Sequence, residues 1–206
     1  MDGQRQTPKP ERNSVVFPSL HALPEKTTRD VDKKPARIWS MLDGWTGEIE
    51  TLDFLYALVR LIKPVEALET GTWLGWSACF IGRALKANGF GKLTTLETNS
   101  EAHAVALKNL NEQGVADFVD ARLESSQDYR PTAKLAFALF DSETSLRESE
   151  FRRMREWLAP GAIVAFHDTG PQHVVVGEAV RRLISEGAFV GLELPTPRGI
   201  FLGKVA

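Results

Sequence analysis

Asp141, His167 and Asp168 are residue types that could do chemistry together, and they stand at the ends of two apolar runs. Asp141 follows Leu135–Phe140, a continuous apolar run of the kind that forms a strand buried on both faces. His167 and Asp168 follow a second such run, Ala162–Phe166. Separate strands that converge polar groups on one crevice are how such folds build active sites, and three candidate metal ligands converge here. Imidazole is a poor ligand for Mg²⁺ and a better one for Mn²⁺, Fe²⁺ or Zn²⁺. Without an ion, His167 could serve directly as general base, because its ordinary pKa lies near neutrality. The same two aspartates could instead do no more than cap strand-to-helix turns.

A second set of residues is continuous in the chain. Val65–Leu68 is short and apolar, Glu69 stands at its end, and Gly71 and Gly75 bracket a tight loop before Trp76-Ser77 opens a helical pattern. Strand, glycine loop and helix N-terminus place a ligand at the carboxyl edge of a parallel sheet. The glycines let backbone approach the ligand, and the free N–H groups of the helix start favour a carboxylate or phosphate. Glu69 would repel a pyrophosphate but could pair with an ammonium group. A ligand with both an amino and a carboxyl group, such as the methionine part of S-adenosylmethionine, suits both features. Glu97 ends the apolar, β-branched run Lys92–Leu96, about twenty residues beyond the loop, where an acid accepts hydrogen bonds from ribose hydroxyls.

These residues need a frame of alternating strands and helices, hence a mostly parallel, doubly wound α/β sheet. Ile49, Leu52, Leu55, Val59 and Ile62 mark one face of a helix ending before Pro64. The spacing predicts further helices over Trp76–Asn88, from Asn99 or Ser100 to about Gln113, over Ser142–Ala159 and over Val174–Glu186. Further strands are expected over Ala116–Ala121, Ala188–Leu194 and Gly199–Val205, the last two as a hairpin, with Pro160-Gly161 as a turn. His103 reads as a surface residue. Trp39, Met41 and Trp45 could line an apolar substrate site, although packing is the commoner use of such residues.

The 206 residues suffice for one domain with a sizeable core. A net charge of −2 points to neither nucleic acid nor an acidic membrane surface, and no apolar run approaches a spanning helix. With no secretory signal and the single cysteine Cys79, a cytoplasmic location is the default. Residues 1–36 carry five of the eleven prolines and few apolar residues, and read as an extended or disordered segment ahead of a domain over 37–206. That segment could fold over the site or contribute to a homodimer.

The pattern Glu69-x-Gly71-x-x-x-Gly75-Trp76-Ser77 resembles motif I of the class I S-adenosylmethionine-dependent methyltransferases, closest to the catechol O-methyltransferase-like and antibiotic-tailoring Mg-dependent branches. The resemblance covers about Glu48 to Val205. It implies a seven-stranded sheet with one antiparallel edge strand, and methyl transfer to a hydroxyl of a small molecule. It implies cofactor contacts from Glu69, Gly71, Thr72, Gly75, Trp76, Ser77, Glu97 and Asp141, with Asp120 and Ala121 beside the adenine. It also implies Mg²⁺ or Mn²⁺ on Asp141, His167 and Asp168. Two departures stand out. His167 replaces the usual acid, and Thr144 stands where catechol methylators carry a lysine base, with Glu143 nearby as a substitute. A nicotinamide-dependent oxidoreductase, though Gly-x-Gly-x-x-Gly is missing, and a non-catalytic S-adenosylmethionine-binding or partner-binding domain remain open as other readings.

Overall fold

A computed structural model describes residues 26–29 and 38–206. Most of the 1–36 segment lies outside the described residues. Within it, β1 (Lys26–Arg29) pairs antiparallel with β2 (Ile38–Met41) in a two-stranded ribbon.

The remaining elements form three layers. In chain order they are α1 (Ile49–Ile62), β3 (Glu66–Thr70), α2 (Trp76–Asn88), β4 (Lys92–Glu97), α3 (Ser100–Glu112) and β5 (Val119–Leu123). Then come β6 (Leu135–Phe140), α4 (Arg147–Met154), β7 (Leu158–His167), α5 (Val174–Ser185), β8 (Phe189–Leu194) and β9 (Ile200–Val205). The seven strands β3–β9 run in the order β5-β4-β3-β6-β7-β9-β8. All pairs from β5 to β7 are parallel, and β9 runs antiparallel to both its neighbours at the hairpin edge. The seven-stranded, mostly parallel sheet expected from the sequence is therefore present.

Alternation along each buried strand divides the core in two. Ala67, Phe137, Leu139 and Ala165 face the side covered by α1 and α2. Leu68, Ala138, Phe140, Val164 and Phe166 face the side of α4 and α5. On that second side Phe140, Phe151, Phe166, Phe189 and Phe201 form a chain of ring contacts with centroids 5.0–5.9 Å apart. Fully burying a side chain of this size contributes about 1.5–3 kcal/mol.

The chain winds from β3 outward to β5, then returns to the other side of β3 with β6. That reversal opens a crevice beyond the carboxyl ends of β3 and β6, where open α/β sheets bind ligands. Three expected boundaries move. The predicted strand Ala116–Ala121 begins with a 3₁₀ turn over Ala116–Phe118, so β5 lies two to three residues later. The predicted helix from Ser142 starts only at Arg147, because a loop comes first: Arg147 Nε donates to the Ser142 carbonyl at 2.8 Å and Leu146 N–H to that of Glu143. Pro160-Gly161 does not separate helix from strand, since β7 already starts at Leu158. Gly161 (φ 76°) lies in a bulge where the register passes from Leu135↔Leu158 to Phe137↔Ile163. Among the described residues no helix is long and apolar enough to cross a membrane.

Candidate active site

The β3–α2 loop is held by backbone. The N–H groups of Gly71 and Thr72 both donate to the Leu96 carbonyl, at 3.0 and 3.1 Å, which ties the loop to the end of β4. Gly71 has φ 87°, and a Cβ there would lie 2.4 Å from the Asp141 carbonyl oxygen, so only glycine fits. Gly75, with φ 82°, is the N-cap of α2 and packs on Ala106. It provides no side-chain cap and α2 has no acid in its first turn, whereas α3 is capped by the Asn99 carboxamide, which accepts from Glu101 and Ala102 N–H. The first N–H groups of α2, around Trp76 and Ser77, are thus left for an anionic group.

Glu97 accepts from the backbone N–H groups of Trp73 (2.7 Å), Thr98 (2.9 Å) and Asn99 (2.8 Å), which fixes its carboxylate beside the loop. Glu69 differs from the open carboxylate read from the sequence. It is fully buried; Thr95 donates to its Oε2 at 2.5 Å and in turn contacts Thr72 at 2.6 Å. Burial pushes its pKa up to about 8, against the lowering effect of hydrogen bonds from Ser77 and Thr95, so near neutrality it is largely a neutral acid. Its Oε1 is buried without a partner.

The other half of the crevice is a lattice of charges. Ligand atoms of Asp141, His167 and Asp168 lie within 4.8 Å of one another, as the metal reading requires. Arg147, on the first turn of α4 and 3% exposed, places Nη2 at 3.0 Å from Asp141 Oδ1 and 2.9 Å from Asp168 Oδ2. Arg198, from the β8–β9 turn, donates through Nε to Asp168 Oδ1 at 2.6 Å and through Nη2 to Oδ2 at 3.0 Å. Its Nη1 holds the Trp45 carbonyl at 2.6 Å, and its backbone N–H donates to Glu48 Oε1 at 2.9 Å. His167 lies between Asp141 Oδ1 (Nδ1, 3.2 Å) and Glu48 Oε2 (Nε2, 3.6 Å), with Gly47 against its ring.

Burial works against charge on all three of these buried groups, but the neighbours prevail. Asp141, Glu48 and Asp168 raise His167 to about 9, so the ring is an imidazolium at neutral pH. The His167 side chain and the Arg198 backbone hold Glu48 at about 2, and His167, Arg198 and Arg147 do the same for Asp168. Asp168 has φ 58°, a left-handed conformation that a short polar side chain tolerates.

The other site residues read from the sequence lie apart. Glu143 is exposed on the loop before α4, outside the charged lattice. Asp120 and Ala121 pair with Thr94 and Thr95, while the residue level with Glu97 is Leu123. They therefore sit two to three residues, some 7–10 Å, below the carboxyl edge. The later start of β5 is the reason. Asp120 pairs with Arg122 at 2.8 Å, and His103, half-buried, contacts the Ala121 carbonyl at 3.1 Å. Glu48, Arg147, Arg198 and the fully buried Glu150 carry no motif and were missed. Glu150 accepts from Thr70, Ser126 and Ser142 at 2.6–2.8 Å, joining the ends of β3 and β6.

Trp45, 74% exposed, leans on Trp73 of the loop with ring centroids 6.3 Å apart. Trp39, Phe54, Leu194, Pro195 and Ile200, with Glu50, line a cavity of about 330 Å³. Thr51 and Ile200 also border a small void that touches Ser77, Asp141 and His167.

A profile of the family described as "Methyltransferase domain" matches residues 68–169. The chain is 30% identical over 138 residues to "Transmembrane O-methyltransferase" of Homo sapiens, covering 63% of this chain and 44% of that protein. It is 37% identical over 78 residues to "Catechol O-methyltransferase" of Niastella koreensis, covering 38% and 34%. The chain thus spans less than half the length of these two relatives. Among solved structures, the O-methyltransferase TomG from Streptomyces achromogenes in complex with SAM superposes with a TM-score of 0.67 at 23% identity, over 80% of this chain and 83% of that one. An O-methyltransferase from Bacillus cereus in complex with SAH gives 0.69 at 19%, over 80% and 84%.

Proposed function

We propose that this chain, a member of the class I S-adenosylmethionine-dependent methyltransferases, transfers a methyl group from S-adenosylmethionine to a hydroxyl of a small molecule. The observation that carries the reading is the β3–α2 loop. It combines Gly71 pressed on Asp141, an uncapped α2 N-terminus and Glu97 fixed alongside, at the switch point of the sheet.

In this reading the N–H groups at the start of α2, around Trp76 and Ser77, bind the cofactor's carboxylate. The unpartnered Glu69 Oε1 is the group suited to its ammonium, whose charge would favour the ionised acid, and Glu97 takes the ribose hydroxyls. When bound, the cofactor supplies a methyl group on a sulfonium sulfur, which an acceptor oxygen displaces. Asp141 is the most open acid of the charged lattice, with 20% of its side chain exposed against 2% for Asp168 and 0% for Glu48. It accepts the hydrogen bond of the incoming hydroxyl, orients it, and takes its proton as the oxygen–methyl bond forms and the sulfur–methyl bond breaks. His167, an imidazolium, holds Asp141 and keeps its own proton. The acceptor's apolar body occupies the cavity walled by Trp39, Phe54 and Ile200. Glu143, Asp120 and Ala121 have no part.

A buried reduced thiol at Cys79 supports a cytoplasmic location, and the net charge of −2 supports a small-molecule acceptor over nucleic acid. A homodimer stays a proposal for size-exclusion and light scattering.

Calorimetric titration with S-adenosylhomocysteine tests the central reading. Binding that weakens at least about tenfold in Glu97→Ala is expected, since the ribose loses a charged acceptor. An absence of binding overturns the reading, and unchanged affinity in the variant removes Glu97 from it.

A further inference from the structure

The place between Asp141 and Asp168, where the sequence led us to expect a divalent ion, contains a side chain. One nitrogen of Arg147, Nη2, lies 3.0 Å from Asp141 and 2.9 Å from Asp168, within contact of both carboxylates. The rest of the guanidinium is fixed as well: Nε donates to the Ser142 carbonyl at 2.8 Å and Nη1 to the His167 carbonyl. A planar fork bound on all sides and 4% exposed cannot turn away without leaving these acceptors unpaired.

The would-be ligands are also engaged. Asp168 Oδ1 takes Arg198 Nε at 2.6 Å and has His173 Nε2 at 3.4 Å, while its Oδ2 takes Arg147 and Arg198 together. Asp141 Oδ1 faces both Arg147 and His167 Nδ1. Mg²⁺ or Mn²⁺ needs several oxygen lone pairs at about 2.0–2.2 Å, and it would meet two guanidinium groups already in contact with its ligands. Three carboxylates, Glu48, Asp141 and Asp168, already face these two permanent cations and His167.

We propose that Arg147 holds the position of the divalent ion, so that this site orders its acids without a metal. Arg147 is a positioning residue that acts through Asp141 and Asp168. This deepens the methyl-transfer reading, and it rests on that reading only for its meaning in catalysis.

Two titrations on the full chain, run separately, decide the two questions. In the first, Mn²⁺ is added to the protein alone and free Mn²⁺ is followed by electron paramagnetic resonance. The free signal should track added Mn²⁺ up to millimolar concentration. Stoichiometric binding that disappears in Asp141→Asn overturns the proposal. Arg147→Met, with folding checked by circular dichroism, should bind Mn²⁺ at least about tenfold more tightly than wild type, because the acids are released. Arg147→Lys, which keeps a cation, should not. A folded Arg147→Met protein with no gain overturns the assignment to Arg147. If that variant does not fold, the wild-type titration still decides. In the second titration S-adenosylhomocysteine is the ligand. Its failure to bind removes methyl transfer and leaves the Mn²⁺ result to stand by itself.

Discussion

The two halves of the carboxyl edge bury acids in opposite ways. Beneath the β3–α2 loop, Glu69 is fully buried and meets only hydroxyl groups, those of Thr95 and Ser77. Across the crevice Asp168 and Glu48 are also buried, but Asp168 meets two guanidinium groups and His167, and Glu48 meets His167, the Thr51 hydroxyl and the Arg198 backbone N–H. Glu69 rises to about 8, and the other two fall to about 2. Burial raises all three, and the difference lies in how far the neighbours lower them again. Glu48 is lowered by His167 together with backbone and Thr51 donors, and Asp168 by His167, Arg198 and Arg147, whereas two hydroxyl donors leave Glu69 raised beside the like charges of Asp141 and Glu97. One half of the crevice is consequently built from neutral donors and backbone, and the other is a balanced set of charges.

The seam between the halves gives the largest test. Gly71→Ala would drive a Cβ into the Asp141 carbonyl at 2.4 Å, from a backbone with φ 87°. A loss of about 3–4 kcal/mol in denaturant unfolding is expected, with loss of S-adenosylhomocysteine binding. Next, Asp168→Asn tests charge alone, because Asn accepts the left-handed backbone as well as Asp. Leaving Arg147 and Arg198 without their shared carboxylate should cost about 3 kcal/mol at neutral pH. The folded-state pKa of Asp168 is depressed, so its stabilisation is present above the ordinary value of 3.8 and fades as pH falls toward 2. The variant should lack that part of the acid-induced decline.

Glu69→Gln should act with the opposite sign. A raised carboxyl pKa means that the folded protein binds the extra proton, so stability declines as pH rises from 4.5 through about 8. The amide removes that decline, so the variant's stability relative to wild type should rise between pH 4.5 and 8 and show no gain at pH 4. His167, raised from 6.5 to about 9, adds stability in full below 6.5 that is lost as pH climbs through 9. The two contributions therefore separate by the pH at which each decline begins. Smallest is Asp120→Asn. Its pair with Arg122 is exposed and below the edge, so stability should change by about 0.5 kcal/mol or less and S-adenosylhomocysteine affinity not at all.

The neutral half was readable in the sequence because its parts are local. Glu69, Gly71, Gly75 and Ser77 lie within nine residues, and Glu97 is fixed by its place at the end of a strand. The apolar runs that deliver Asp141 and His167 were equally plain. The charged half was not readable, since Arg147 reaches Asp168 across 21 residues and Arg198 reaches Glu48 across 150. No spacing rule joins such pairs. An arginine at a helix start or in a Pro-rich turn looks like any solvated cation until the fold brings it inward. Asp120 lies lower on β5 than its place in the sequence suggests, because a 3₁₀ turn displaces the strand boundary.

Arg198 also sets an order of events. Its backbone and guanidinium join Glu48, Trp45, Thr46 and Asp168, so the charged set closes only when the turn after β8 returns to the loop ahead of α1. On a ribosome that turn emerges some 150 residues after Glu48, Trp45 and Thr46, and 30 after Asp168. The cofactor loop draws on segments made earlier, Leu96 and Asp141, and a longer loop costs more entropy to close. The charged set is therefore the part of the carboxyl edge that depends on the last-made segment of the chain.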